Sequence, residues 1–276
     1  TGHPDVGGSR ASMVNIAAEL LGVDYRKVRA QIGDTNAVGI SAVTGGSRVT
    51  FASGMAVHEA TNKVIAMLRG RAAQKWKIPV EAVTWADGEA RPAGANAGEF
   101  DPLTLADLAG MPGAPIAASV SLNATGHQGA FAAHMVDVEV DPETGHVEVL
   151  RYTASQDVGR AIHPDYVEGQ IQGGVVQGIG WALNEEFIYA KNGAVDNASF
   201  LDYRIPVASD LPRITPIIVE VPNEKHPYGV KGVGEVTIVP PLAAITNAVY
   251  HATGTRMTEL PMSPPKVLAA LSRSKA

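Results

Sequence analysis

No cysteine occurs anywhere in the chain. Disulfides, cysteine nucleophiles and iron–sulfur clusters held by thiolates of this chain are therefore excluded. Long hydrophobic runs are missing too. None approaches the ~20 apolar residues that a membrane-spanning helix requires, so no membrane span is expected. Positive charge is not in surplus: the net charge is −6, which argues against nucleic acid as the main partner. A Walker A pattern is absent, as is a well-placed G-x-G-x-x-G following a strand, so the usual nucleotide fingerprints fail. No Ser/His/Asp arrangement stands out by spacing, and there is no internal repeat, low-complexity tract or evident linker. The chain opens at Thr1, with neither an initiator methionine nor a signal peptide. We therefore expect a piece of a longer protein, cytoplasmic, with a periplasmic location left open.

What remains is an ordinary globular composition, 45% hydrophobic and 18% charged over 276 residues, enough to bury a sizeable core as one large domain or two lobes. The 29 glycines are unevenly placed. They concentrate at 2–8, 39–54, 169–180 and 229–234, between well-patterned segments, which suggests several backbone loops converging on one object.

In chain order, the glycine-rich opening 1–10 leads into a helix with Met13, Ile16, Ala17 and Leu20 on its apolar face. Ser9 or Ser12 is the expected cap and Gly22 the stop. Val28–Ile32 alternates as a short strand. Thr44–Arg48, read T-G-G-S-R, directly precedes a long helix running to about Trp76. Backbone N–H groups at such a helix start, beside Ser47 and Arg48, suit a phosphate; a simple Ser or Thr cap after a flexible loop is the competing reading. Turns fall at Asp87-Gly88 and Pro112-Gly113, with a short helix at Leu103–Leu108. Phe131–Val140 and Val147–Gln156 alternate as strands of a hairpin. His134 and His146 read as strand and turn residues rather than metal ligands, because they lack ligand spacing. Strands are also expected at Glu185–Ala190 and Ile214–Val221, and a closing helix at Ser263–Leu271.

Two stretches carry the chemistry. From Pro164 to Leu183 the spacing is helical, and at about 100° per residue Gln170, Gly173, Gly174 and Gln177 share a face. Each interior glycine costs up to ~1 kcal/mol against alanine. Close packing of another helix would compensate, as would a flat polar ligand lying on the glycines and amides. The second stretch is Y-G-V-K-G-V-G-E-V-T-I, Tyr228–Ile238, with one carboxylate, Glu235, at its tip. Gly229, Gly232 and Gly234 allow close backbone approach to a bulky neighbour. A helix at Leu242–Tyr250 follows, with Pro240 and Pro241 tolerated in its first turn. Glu235 reads either as a complement to the helix dipole or as a base held against a substrate.

Taken in order, these stretches resemble the C-terminal molybdopterin-binding domain of the xanthine dehydrogenase/aldehyde oxidase family of molybdenum hydroxylases. The matching pieces are the glycine-rich opening, T-G-G-S-R, E-G-Q-I-Q-G-G-V-V-Q-G-I-G, and above all K-G-V-G-E followed by a helix and E-L-P-M-S-P-P-K-V-L-A-A-L. The resemblance covers nearly the whole chain. No single motif decides it, but the ordered set is highly specific.

The resemblance implies an α+β fold with mixed sheets and packed helices in two lobes, approximately 1–126 and 127–276. It implies that Glu235 is the base beside the molybdenum, and a carboxylate shielded from water is suited to that task. Gln170 takes the place of the glutamine that contacts the pterin. Gly45, Gly46 and Ser47, with Arg48 adjacent, take the place of the cofactor-binding loop, and Gly232, Val233 and Gly234, beside the glutamate, are expected to bind the cofactor as well. The implied cofactor is molybdenum-molybdopterin, expected in its cytosine dinucleotide form, with the metal held by the pterin and no protein ligand. Two-iron–two-sulfur and FAD groups are expected on other chains or segments. The implied partners are the N-terminal part of the molybdenum subunit, iron–sulfur and flavin subunits, and a small-molecule substrate. The implied reaction is hydroxylation of an aldehyde or N-heteroaromatic carbon, with water as oxygen source. A non-catalytic cofactor-binding or assembly protein is the alternative. One departure stands out: many members carry G-Q-G in the opening loop, and here V-G-G (Val6–Gly8) puts Gly7 where that glutamine is expected.

Overall fold

A computed structural model describes residues 1–36 and 41–274. Gly39, counted in the second glycine cluster, lies outside the described residues. The chain forms two compact units, one of 1–127 with Glu224–Val230, the other of 128–223 with Lys231–Ala276.

The first unit is built on two helices and a small antiparallel sheet. Helix α1, Ser9–Leu21, is capped at its start by the left-handed backbone of Gly8 and not by either serine. It stops as its apolar pattern dictates: Gly22 takes φ 68° and returns its N–H to the carbonyls of Ala18 and Glu19. The long helix α2, Val49–Trp76, lays Leu68, Ala72, Ala73 and Trp76 against the sheet β1 (Val83–Ala86), β2 (Glu89–Pro92) and β3 (Leu103–Thr104). Asp87 and Gly88, both left-handed at φ 53° and 79°, make the tight β1–β2 turn. The short helix expected at Leu103–Leu108 is α3, Leu105–Ala109, closed by a capping box between Thr104 and Asp107.

Val28–Ile32 is not a strand. Gln31 within it and Gly33 just beyond it bond to the first residue of the chain instead: the Thr1 amine donates to the Gln31 carbonyl, and the Gly33 N–H donates to the Thr1 carbonyl. Among the described residues no strand pairs with this stretch, and alternation alone does not make a strand.

The second unit holds a mixed sheet in the order β4-β5-β6. Strands β4 (Ala132–Val140) and β5 (Val147–Asp157) form the expected hairpin, with a bulge at Asp137/Val138. Strand β6 (Arg213–Val219) pairs parallel to β5, and the crossover that parallel pairing demands contains α4, Pro164–Leu183. Helices α5 (Val239–Thr253) and α6 (Pro264–Ser274) complete the layer. Tyr152, Ile171, Val175, Ile179, Ile245 and Met262 form its centre, all essentially buried.

The strand expected at Glu185–Ala190 is reduced to a single bridge between Tyr189 and Val195. The buried amide of Asn197 accounts for this. It accepts from the Ile188 N–H at 2.9 Å and donates to the Glu186 carbonyl at 2.7 Å, taking the place of a ladder. Among the described residues no helix is long and apolar enough to cross a membrane.

Candidate functional site

In the second unit, the glycines of α4 divide into two kinds. Gly174, Gly178 and Gly180 are buried. A Cβ on Gly174 would overlap Thr237, one on Gly178 would overlap the Pro241 ring, and one on Gly180 would overlap Glu185 and Pro206. These three glycines are packing glycines, as close approach to another element demands, and Gly174 leaves the ligand face on which the helical wheel placed it. Gly169 and Gly173 are different. Both are exposed, and nothing lies within 4 Å of the position a Cβ would take. Among the described residues no neighbour requires them to be glycine. Gln177 is exposed beside Gly173, and Gln170 is half-buried one turn earlier.

The loop that carries Glu235 is held at both ends. Lys231 and Asp157 form an ion pair at 2.7 Å with side chains 5% and 6% exposed. The Lys231 N–H also donates to the Val158 carbonyl at 3.1 Å. Asp157 accepts from the Gly159 N–H at 3.0 Å and the Val221 N–H at 3.3 Å through its other oxygen. Burial pushes the Asp157 carboxyl up, but the hydrogen bond from Lys231 and those two amides outweigh it and hold the group below the usual range. At the far end Thr237 is fully buried, and its hydroxyl reaches the Gln170 carbonyl at 3.4 Å. The structure thereby joins Gln170 on α4 to the segment bearing Gly232, Val233, Gly234 and Glu235.

Between the anchors Val233 packs on the core, while Glu235 is exposed. Glu235 precedes a short 3-10 turn, Val236–Ile238, and its side chain makes no capping hydrogen bond to that turn. Helix α5 begins only at Val239 and has no acidic residue in its first turn, so helix capping does not explain the carboxylate. Nor is it shielded from water by this chain, contrary to the expectation for a base.

In the first unit, Thr44–Arg48 leads directly into α2. Gly46 and Ser47 are both left-handed, at φ 67° and 55°, and Arg48 at φ −82° is the N-cap, with no side-chain cap. The N-cap residue is thus Arg48, one position beyond Ser47. A left-handed residue followed by a right-handed one turns successive N–H groups toward a common point, a geometry that suits an anion. A Cβ on Gly45 or Gly46 would meet nothing within 4 Å. At the start of α1, Gly7 and Gly8 have φ of 58° and 78°, a region that a residue with a Cβ rarely adopts.

Near the start of α2 the buried His3 and Ser53 lie in contact, Nδ1 to Oγ, at 2.9 Å. His226 anchors the return segment: one ring nitrogen lies 3.1 Å from the Phe51 carbonyl, and the other accepts from the Tyr228 and Val230 N–H groups. Sequence reading assigned no role to Asp157, Lys231, Thr237 or His226. Lys231 lies inside K-G-V-G-E, but nothing local reveals a partner 74 residues away. Among the described residues no group of three or more His, Cys, Asp or Glu side chains is placed to hold a metal ion.

A family model described as a molybdopterin cofactor-binding domain matches residues 1–212. The gamma subunit of the 6-hydroxypseudooxynicotine dehydrogenase complex of Paenarthrobacter nicotinovorans is 30% identical over 98% of this chain and 35% of that protein. The aldehyde oxidoreductase molybdenum-binding subunit PaoC of Escherichia coli K12 is 32% identical over 98% of this chain and 36% of that protein. Among solved structures, CO dehydrogenase from Oligotropha carboxidovorans superposes with a TM-score of 0.87 at 25% identity, over 98% of this chain and 35% of that one. Quinoline 2-oxidoreductase from Pseudomonas putida 86 gives 0.85 at 27% identity, over 98% of this chain and 36% of that one. The chain thus spans little more than a third of the length of these relatives, and its mixed sheet with packed helices is their fold.

Proposed function

The chain belongs to the molybdopterin cofactor-binding domain family, and from that premise we propose that it forms the C-terminal part of a molybdenum hydroxylase. The reaction we assign is oxidation of an aldehyde or an N-heteroaromatic carbon, with oxygen taken from water. Glu235 is the base.

The residues fit the group on grounds of shape and donor chemistry. Gly45, Gly46, Gly169 and Gly173 leave open space where a side chain would stand, which suits a body that approaches the backbone closely. The left-handed Ser47 beside Arg48 at the head of α2 offers N–H groups to a phosphate. Gln170 and Gln177 offer amides beside the open glycines of α4. In this reading each of these two stretches contributes to binding the molybdenum-molybdopterin cofactor, in its cytosine dinucleotide form.

When bound, the cofactor supplies the two-electron acceptor for breaking the C–H bond. The chain supplies position and a place for the proton. Gly232, Val233 and Gly234 bring the backbone close without a bulky side chain at either glycine. The Glu235 carboxylate takes up the proton released as the oxygen derived from water attacks the substrate carbon. The observation that carries this role is the exposed Glu235 carboxylate on a loop with buried anchors at both ends, serving no cap on the turn it precedes. Two-iron–two-sulfur and flavin groups on other chains or segments would serve as the onward electron acceptors, and the N-terminal part of the molybdenum subunit would complete the cofactor site.

Molybdenum and pterin analysis of the assembled enzyme, with aldehyde-dependent dye reduction on the same sample, tests the assignment. We expect stoichiometric metal and turnover. Stoichiometric metal with no turnover of any aldehyde or N-heteroaromatic compound would instead favour a cofactor-binding or assembly role.

A further inference from the structure

We infer that the buried Lys231–Asp157 pair is a positioning device that fixes the conformation of the Glu235 loop. The consequence for turnover rests on the assignment of Glu235 as base; the anchoring itself does not.

The chain passes from the first unit to the second between Val230 and Lys231. Lys231 is thus the first residue of the returning segment, and it is tied to the second unit twice. Its N–H bonds to the Val158 carbonyl at 3.1 Å, and its ammonium bonds to Asp157 at 2.7 Å. Asp157 is the last residue of β5. Through its two oxygens it also fixes the backbone at Gly159 and, beyond the end of β6, at Val221. One carboxylate therefore registers the end of β5, the residues beyond β6 and the Lys231 segment against one another. Glu235 follows only four residues later, and Thr237 closes the span at full burial. With both ends fixed and Val233 packed inward, few conformations remain for the intervening backbone.

The choice of chemistry supports registry over stability. An ion pair this buried loses most of its Coulombic gain to desolvation, and apolar residues of similar volume are often as good or better for stability. What an ion pair adds is a unique partner. Lys231 has one buried carboxylate to meet, and a one-residue slip of the loop would leave both charges unpaired. The loop contains two glycines, which by themselves leave its backbone loose. A stringent anchor at its base offsets that freedom.

The test uses the assembled enzyme that contains this chain. Lys231→Met alone leaves a buried carboxylate without its partner and is expected to misfold. The double variant Asp157→Asn/Lys231→Met removes both charges and keeps an oxygen acceptor for Gly159 and Val221. We expect this variant to fold and retain molybdenum, with amides 232–236 exchanging hydrogen on the order of ten-fold faster while Ile171, Val175 and Ile179 in α4 are unchanged. The kcat should fall on the order of ten-fold or more with KM within about two-fold, because misplacing a reacting group costs rate more than binding. Unchanged exchange at 232–236 in the folded double variant would overturn the inference, and so would equal acceleration across α4, which marks general loosening. Glu235→Gln, measured in parallel, separates the two readings. If that variant turns over normally, the base assignment falls while the exchange data still decide the anchoring.

Discussion

His134 shows how one half-buried side chain makes the fold sensitive to pH. Its Nδ1 lies 3.0 Å from the hydroxyl of the fully buried Tyr152. Burial lowers its pKa from 6.5 to about 4, and the same cause lowers His3 and His226. The unfolded chain therefore takes up protons below pH 6.5 that the folded chain refuses until about 4. Stability from this source is complete above 6.5 and is lost as pH falls through that window. Unfolding midpoints followed from pH 7 to 4 should fall steadily, and His134→Gln, which keeps a hydrogen-bonding side chain, should flatten part of the slope. An unchanged slope would mean that the imidazole is already charged in the fold. At Gly7 the departure from G-Q-G coincides with a φ of 58°. Gly7→Gln is expected to cost ~1 kcal/mol in stability through backbone strain, measurable by denaturant titration.

Among the elements, α4 is where closely packed glycines and open ones stand side by side. Gly174 and Gly173 are adjacent, yet opposite outcomes are expected on adding one methyl group. Gly174→Ala drives a Cβ into Thr237 and should cost ~1–3 kcal/mol as overpacking, displacing the Glu235 loop with it. Gly173→Ala meets nothing and should stabilise the chain by up to ~1 kcal/mol through helix propensity, while the assembled enzyme retains less molybdenum. Thermal denaturation and metal analysis of the two variants check the pair; equal stability changes would remove the distinction. The helices were legible in the sequence because their caps and periods are local: Gly22 ends α1, and α2 ends at Trp76 as its pattern runs out. The β4–β5 hairpin was legible through alternation around D-P-E-T-G-H. Val28–Ile32 and Glu185–Ala190 alternate like strands yet are not, because their backbone groups are taken up by Thr1 and by the Asn197 amide, which alternation does not reveal. Within the site, the Glu235 loop and the open glycines of α4 announced themselves by composition. Asp157 did not, since an ion pair across 74 residues leaves no local pattern.

At the scale of the whole molecule, Phe200 and Leu201 are 91% and 83% exposed, and Phe187, Ile188 and Tyr189 are exposed nearby in sequence. Apolar side chains this accessible mark surfaces suited to protein contact. With the chain spanning only 35% of a relative such as the gamma subunit above, the chain purified alone is expected to self-associate and to carry no molybdenum. A monodisperse isolated chain with stoichiometric metal would contradict that expectation. Glu235→Gln in the assembled enzyme, with turnover and molybdenum content read on one preparation, decides whether Glu235 is the base. Glutamine keeps the size and hydrogen bonding of the side chain but does not accept the proton. Turnover is predicted to fall by ~10²-fold or more at normal metal content, whereas full metal occupancy with near-normal turnover would contradict the account.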